Sequence, residues 1–329
     1  MGVFHRYIRL IPLLIFVLNL ATRIFYINGQ DICHDEPFTI YHAQFKTAEI
    51  WNLLKNYNNP PLFEILLHYW IKLWGLNDFS LRLLPLLFSS LASVVLYYLG
   101  ARCFNVKVGL LASLMLTFSS LSIYYAFDCR AYSALLLFSI VSSYFYLAVI
   151  SNLPKRIDVV LHILFSSVLV YLHYFGVLVL FIQLLHALIF SRKAIKTFFI
   201  SGIAIFVVYL PHIMTMLSRF THSASGGTWI QAPAGAESLY NMLWSFCNAP
   251  FATVLCIVIL VLLPVLFWKQ LHGIFSKSLV GYLITGFLFS YFGLFFISYK
   301  IPVFIDRYLI FVLPFFLSFN LSDCIRYYK

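Results

Sequence analysis

The sequence predicts an all-α, polytopic integral membrane protein of about ten transmembrane helices, with interfacial helices in its first outer loop. Three observations predict it. Hydrophobic residues make up 62% of the 329 and charged residues only 10%, with a mean hydropathy of +0.92. A soluble core of this length cannot take up so much apolar surface. Apolar runs of spanning length then recur along the chain, over about 9–27, 80–100, 108–126, 130–150, 157–172, 174–190, 197–216, 251–268, 278–298 and 308–323. Finally, the charges sort by side.

With the N-terminus in the cytoplasm, the inner side collects Arg6, Arg9, Arg102, Lys107, Lys155, Arg156, Arg192, Lys193, Lys196, Lys269, Lys277, Arg326 and Lys329. Most lie in short loops, where basic residues fix orientation. Of the acids, only Asp158 and Asp323 fall on that side. The net charge of +11 is therefore explained by topology and implies no nucleic-acid partner. The first apolar run, interrupted by Arg23 with no small-residue cleavage pattern after it, reads as a retained span. With no soluble segment apparent, residues 1–329 are expected to form one transmembrane domain without a soluble C-terminal domain.

Residues 61–74 are apolar but are not counted as a span, because a helix there is about 21 Å long against a hydrocarbon core of about 30 Å. Asn59 is placed to cap it, Pro60-Pro61 to start it and Gly75 to end it. Glu64, His68 and Lys72 stand four apart and form one polar stripe, as in a helix lying at the interface. Two short helices are expected before it, from Pro37 to about Phe45 and from about Ala48 to Tyr57, with Thr47 as a cap. The outer segment 217–250, containing Ser225-Gly226-Gly227, Trp229 and Pro233, reads as flexible and able to close over a site.

The chemistry points to the first outer loop. In a chain with only eleven acids, Asp35 and Glu36 are adjacent beside a bilayer face. One of them suffices to cap the helix that starts at Pro37. The other is left for function. Asp128-Cys129-Arg130 lies on the same side, either as a turn-anchoring ion pair or as a second acid of a shared cavity. Arg307-Tyr308 precedes the last span, and Arg82 begins the second. Each arginine reads either as a snorkelling cation or as a phosphate contact. Lys300 adds a cation near Arg307. His173-Tyr174 marks an outer hairpin, where a histidine is ordinarily a satisfied hydrogen-bonding residue. Cys33 and Cys129 are both outside, and a disulfide between them is one alternative to two buried thiols. No His/Cys/acid spacing matches a closed metal site, so no cofactor is specified, and a divalent metal beside His34-Asp35 stays an open alternative. No phosphate-loop, dinucleotide, nucleophile-elbow or zinc-protease motif occurs.

The ordered pieces resemble the GT-C membrane glycosyltransferases that use polyprenyl-phosphate sugars, in the branch of protein O-mannosyltransferases and bacterial lipid A aminoarabinose transferases (glycosyltransferase family 39-like). They are Asp35-Glu36, Asn59-Pro60-Pro61-Leu62, Leu73-Trp74-Gly75, Ser80-Leu81-Arg82-Leu83-Leu84-Pro85, Asp128-x-Arg130-Ala-Tyr132, and Pro302-x-Phe304-x-x-Arg307-Tyr308 followed by Pro314. Asn59 stands where the family has His. The resemblance implies a polyprenyl-phosphate-linked sugar donor and a glycan, lipid or protein acceptor at the outer face. It also implies transfer with inversion, in a bacterial inner membrane with the site on the periplasmic side. On that reading Asp35 is the base, being less committed to helix geometry than Glu36, which caps or orients. Asp128 is a further acid held by Arg130. Arg307, Arg82, Arg130 and Lys300 hold the donor phosphate, and Tyr132, His173, Tyr174, Tyr308 and Trp229 line the substrate site. The alternative is a non-catalytic lipid-linked-sugar transporter or scaffold of the same fold.

Overall fold

A computed structural model describes residues 10–324 except 28, 30, 33, 55–58, 152–153, 193–194, 227–228 and 267–277. The expected inner cations Arg6, Arg9, Lys193, Lys269, Lys277, Arg326 and Lys329, the thiol of Cys33, and the expected helix end at Tyr57 lie outside the described residues.

Among the described residues the regular structure is all helical, with no strands. They form α1 (Ile11–Ile24), α2 (Glu36–His42), α3 (Thr47–Leu54), α4 (Leu62–Trp74), α5 (Asp78–Cys103), α6 (Val106–Thr117), α7 (Ser120–Phe127) and α8 (Tyr132–Val149). Then follow α9 (Arg156–Leu172), α10 (Phe175–Phe190), α11 (Ile195–Ala224), α12 (Ala236–Cys247), α13 (Pro250–Leu266), α14 (Ser278–Ile297), α15 (Asp306–Leu309) and α16 (Leu313–Cys324). Four of them (α5, α8, α11, α14) are long and apolar enough to cross a membrane, and the bent pairs α6–α7 and α12–α13 raise this to six. The shorter apolar α1 and α10 follow the same pattern. The protein is thus a polytopic membrane bundle, though the described helices do not establish ten spans.

The bundle is built around α5, which packs against α1, α6, α7 and α8. The α5–α6 approach is very close. A Cβ on Gly100 would lie 2.7 Å from the Gly109 Cα, so two glycines are what lets these helices touch backbone to backbone. The expected span over 108–126 is broken between α6 and α7 by a 57° bend. Its freed groups are satisfied. Ser119 accepts from Ser122 N–H, Asn248 accepts from Ser120 N–H at 2.8 Å and donates to Phe118 O at 2.8 Å, and buried Arg23 donates to Thr117 O at 2.8 Å. Asn248 is left-handed at φ 67°, a conformation Asn tolerates.

Helix α4 returns to the side from which it starts. Arg82, near the start of α5, donates to Ile27 O just after α1 at 2.8 Å, so α5 begins where α1 ends. Trp70 Nε1 also reaches Ser80 O at 2.8 Å. Two caps differ from expectation: Thr47 is the first residue of α3 rather than its cap, and α4 begins at Leu62 after Pro61 without a cap from Asn59. Gly75 ends it at φ 84°. Its stripe is also turned. Glu64 and His68 are buried, with His68 Nδ1 paired to Ala43 O at 2.9 Å, while Lys72 alone stays outside.

The outer segment 217–250 is more ordered than its composition suggests. Helix α11 runs on to Ala224, and α12 fills 236–247 before a 106° bend into α13. Among the described residues, 225–226 and 229–235 are the ones between α11 and α12 that are not helical.

Candidate active site

At the end of the bundle where α1 finishes and α5 begins, five separate segments meet. They are the start of α2, the α3–α4 region at Leu54, Asn59 and Glu64, the α7–α8 turn, the stretch between α11 and α12 at Trp229, and the start of α15. They enclose a cavity of about 180 Å³ lined by His34, Asp35, Phe38, Leu54, Asn59, Glu64, Arg130, Tyr132, Trp229, Arg307 and Tyr308.

Asp35 and Glu36 diverge at the start of α2. His34 before them is left-handed at φ 54°. Neither carboxylate caps the helix as expected: Asp35 occupies the cap position without a side-chain cap bond. It pairs instead with Arg307, Nη1 to Oδ2, at 2.9 Å. Glu36 turns into the protein and accepts the Cys129 N–H at 2.8 Å. A charged partner and a buried N–H are each stronger demands on a carboxylate than a solvated helix end.

Arg130 ties α8's approach to α2. Its Nη1 donates to the Thr39 hydroxyl at 2.6 Å and to Asp35 O at 3.4 Å. The Thr39 hydroxyl in turn donates to Glu64 Oε1 at 3.4 Å. Burial pushes the Glu64 carboxyl above its usual range, and Arg130 only partly offsets this. Asp128 stands behind the cavity rather than on its wall. Burial, then the Glu36 carboxylate, pushes it up to about 7 against the pull of Arg130 and Arg307.

Arg307 is the hub of the aromatic side. Its guanidinium lies 4.9 Å from the Trp229 ring, 5.5 Å from Tyr308 and 5.9 Å from Tyr132. Its Nε is buried and has no hydrogen-bond partner. Tyr308 stacks on Phe175 at 5.0 Å. His173 is buried beside Tyr132 and Tyr308. Burial, then Arg130 and Arg307, hold its imidazole down to about 3, so it is neutral. Its Nδ1 accepts from Phe175 N–H at 3.2 Å, which leaves the hydrogen on Nε2.

A second cavity of about 140 Å³ adjoins the first, lined by His173, Tyr174, Phe175, Arg219, Phe220, Ser223, Ile230, Ile301, Pro302 and Val303. The two share Asn59, Trp229 and Tyr308. Tyr174 also contacts His212 through its hydroxyl at 3.3 Å.

The structure therefore brings Asp35, Arg130, Tyr132, Trp229, Arg307 and Tyr308 to the first cavity and His173 and Tyr174 to the second. Two expected cations are not brought there. Arg82 is buried against the Ile27 carbonyl, and Lys300 is exposed on the turn after α14. Cys129 is a buried free thiol. Among the described residues no three His, Cys, Asp or Glu side chains converge on a point where a metal would sit. Glu64 and Asn59 as cavity residues were missed. A lone acid on an apolar helix is the signal that marks Glu64.

Residues 58–215 match the family model of dolichyl-phosphate-mannose-protein mannosyltransferases. No curated protein matches the sequence. In structure the chain is similar to ArnT from Cupriavidus metallidurans, both bound to undecaprenyl phosphate and in the apo state. Each superposes with a TM-score of 0.63 at 14% identity, over 98% of this chain and 60% of that one. The chain thus spans less than two thirds of the length of the protein it matches. The chain is thus a polytopic membrane protein that shares the fold of ArnT, and its residues 58–215 match the dolichyl-phosphate-mannose-protein mannosyltransferase family model.

Proposed function

We propose that the protein is a membrane glycosyltransferase that moves a sugar from a polyprenyl-phosphate donor to a hydroxyl of a glycan, lipid or protein acceptor, with inversion, on the outer face of a bacterial inner membrane. The observation that carries this is the Asp35–Arg307 pair on the wall of a cavity at one end of a membrane bundle. It joins a general base and a phosphate-binding fork. ArnT, bound to undecaprenyl phosphate in the same fold, supports the donor class.

In the reaction the acceptor oxygen forms a bond to the anomeric carbon as the bond to the phosphate oxygen breaks. Asp35 takes the acceptor proton, and the electron pair leaves with the lipid phosphate. A phosphate leaving group needs charge stabilisation more than it needs a proton. Arg307 supplies this from a planar fork whose Nε is unengaged, and Arg130 adds a second cation on the cavity wall. Tyr132, Tyr308 and Trp229 wall the sugar. The second cavity, with Phe175, Phe220, Ile301, Pro302 and Val303, suits the apolar start of the polyprenyl tail.

The test is transfer by the purified chain in vesicles, from radiolabelled polyprenyl-phosphate sugars to membrane lipid, glycan and peptide acceptors. Release of polyprenyl phosphate with matching acceptor labelling is expected. Tight donor binding with no transfer to any acceptor would identify a carrier or scaffold instead.

A further inference from the structure

Glu64 is the one acid on α4 that faces the cavity, and nothing in the transfer chemistry above uses it. It is 3% exposed and lines the wall together with Asp35 and Arg130. Its two oxygens are unequal. Oε1 is fixed by the Thr39 hydroxyl, which is itself held by Arg130 at 2.6 Å. Oε2 is buried and has no hydrogen-bond partner. A buried oxygen oriented by one partner and left open at the other is costly to the folded protein unless something entering the cavity completes it.

We propose that Glu64 is a sugar-recognition residue whose Oε2 hydrogen-bonds a hydroxyl of the sugar ring admitted to this cavity. This rests on the transferase reading and adds to it the group that distinguishes a sugar-bearing lipid from the bare lipid phosphate. The phosphate, already served by Arg307 and Arg130, only accepts, so it could pair with this carboxyl in the protonated form alone. A sugar hydroxyl both donates and accepts, so it pairs with the carboxyl in either protonation state. Burial of Glu64 favours the neutral acid, which donates from Oε2. Thr39 and Arg130 pre-orient the carboxyl, so little freedom is lost when the sugar binds.

The experiment measures binding of undecaprenyl phosphate, and of undecaprenyl phosphates carrying mannose, glucose or galactose, to the full chain in lipid nanodiscs. Wild-type protein is expected to bind at least one sugar-bearing lipid more tightly than the bare lipid. Glu64→Ala should lower affinity for that lipid by about tenfold and leave the bare lipid within about twofold. Glu64→Gln keeps a donor and an acceptor at the site and should retain most of the preference. A Glu64→Ala protein that keeps the sugar preference overturns the proposal. So does one that loses both lipids alike, since that is the signature of a residue that only holds Thr39 and Arg130. A wild type that prefers no sugar-bearing lipid overturns it as well. A wild type that binds no lipid at all overturns the transferase reading itself.

Discussion

Asp35 and Arg307 lie 272 positions apart in the chain and meet at 2.9 Å. Losing a well-placed general base costs about 10²–10⁴-fold in rate, so Asp35→Asn should lower single-turnover transfer by that order. On the proposed reading Asp35 also competes with phosphate for the Arg307 fork. The same variant should therefore bind undecaprenyl phosphate at least as tightly as wild type, measured in nanodiscs. Arg307→Ala should weaken that binding by about 2–4 kcal/mol, the scale for removing one partner of a desolvated charged contact. Arg307→Lys should restore only part, because a point charge replaces a planar fork. Unchanged lipid affinity in Arg307→Ala would return Arg307 to a structural role. Asp128 gives a pH signature. Its folded-state value near 7 lies above the ordinary 3.8, so the folded state holds its proton more tightly. The stability this brings is complete in acid and is lost as pH rises from about 4 through about 7. Asp128→Asn, permanently neutral, should raise the thermal midpoint more at about pH 8 than at about pH 5. Equal shifts at both would show that Asp128 is not the titrating group. At this scale Asp35, Arg130, Arg307 and the aromatic wall were legible in the sequence, because scarce charges in an apolar chain are conspicuous. Glu36's partner was not. A bond to a backbone N–H 93 positions away leaves no trace in residue type.

Helices carry a different kind of test. The contact of Gly100 with Gly109 leaves no room for side chains between α5 and α6. Gly109→Leu should force these helices apart and markedly lower the thermal midpoint in detergent, while the same change at Gly202, where an added Cβ meets nothing within 4 Å, should be tolerated. A tolerated Gly109→Leu would mean that the two helices are not held in this approach. Apolar runs located most helices to within a few residues, since a long uninterrupted apolar stretch is a strong signal. The break in α6–α7 was hidden because hydropathy does not change across it. It is recognised only through Asn248 and Arg23, whose side chains satisfy the freed backbone from far along the chain. Helix α12 was hidden for the opposite reason, since the Gly- and Pro-containing stretch before it dominates the local composition.

For the molecule as a whole, the alternation of helices puts Arg102, Lys107, Lys155, Arg156 and Arg192 at one end and the two cavities at the other. Single cysteines at Lys46 and Lys107 should therefore react with impermeant reagents from opposite sides of a sealed vesicle. Labelling of both from one side would make α4 a span and reverse every later loop. The charge pattern carried this arrangement in the sequence; what it could not carry was depth. Helices α9 and α10 have 17 and 16 residues, about 26 and 24 Å of helix, against a hydrocarbon layer of about 30 Å. Their turn, with His173 and Tyr174, cannot reach the far headgroup plane unless the bilayer thins to meet it. Spans this short are accommodated by local thinning of the bilayer or by snorkelling of flanking side chains; on the proposed reading, thinning would bring the lipid phosphate toward the level of Arg307. If transfer proceeds as proposed, membrane thickness becomes a control on it: turnover in vesicles should fall as phospholipid acyl chains lengthen, with the chemistry at Asp35 untouched.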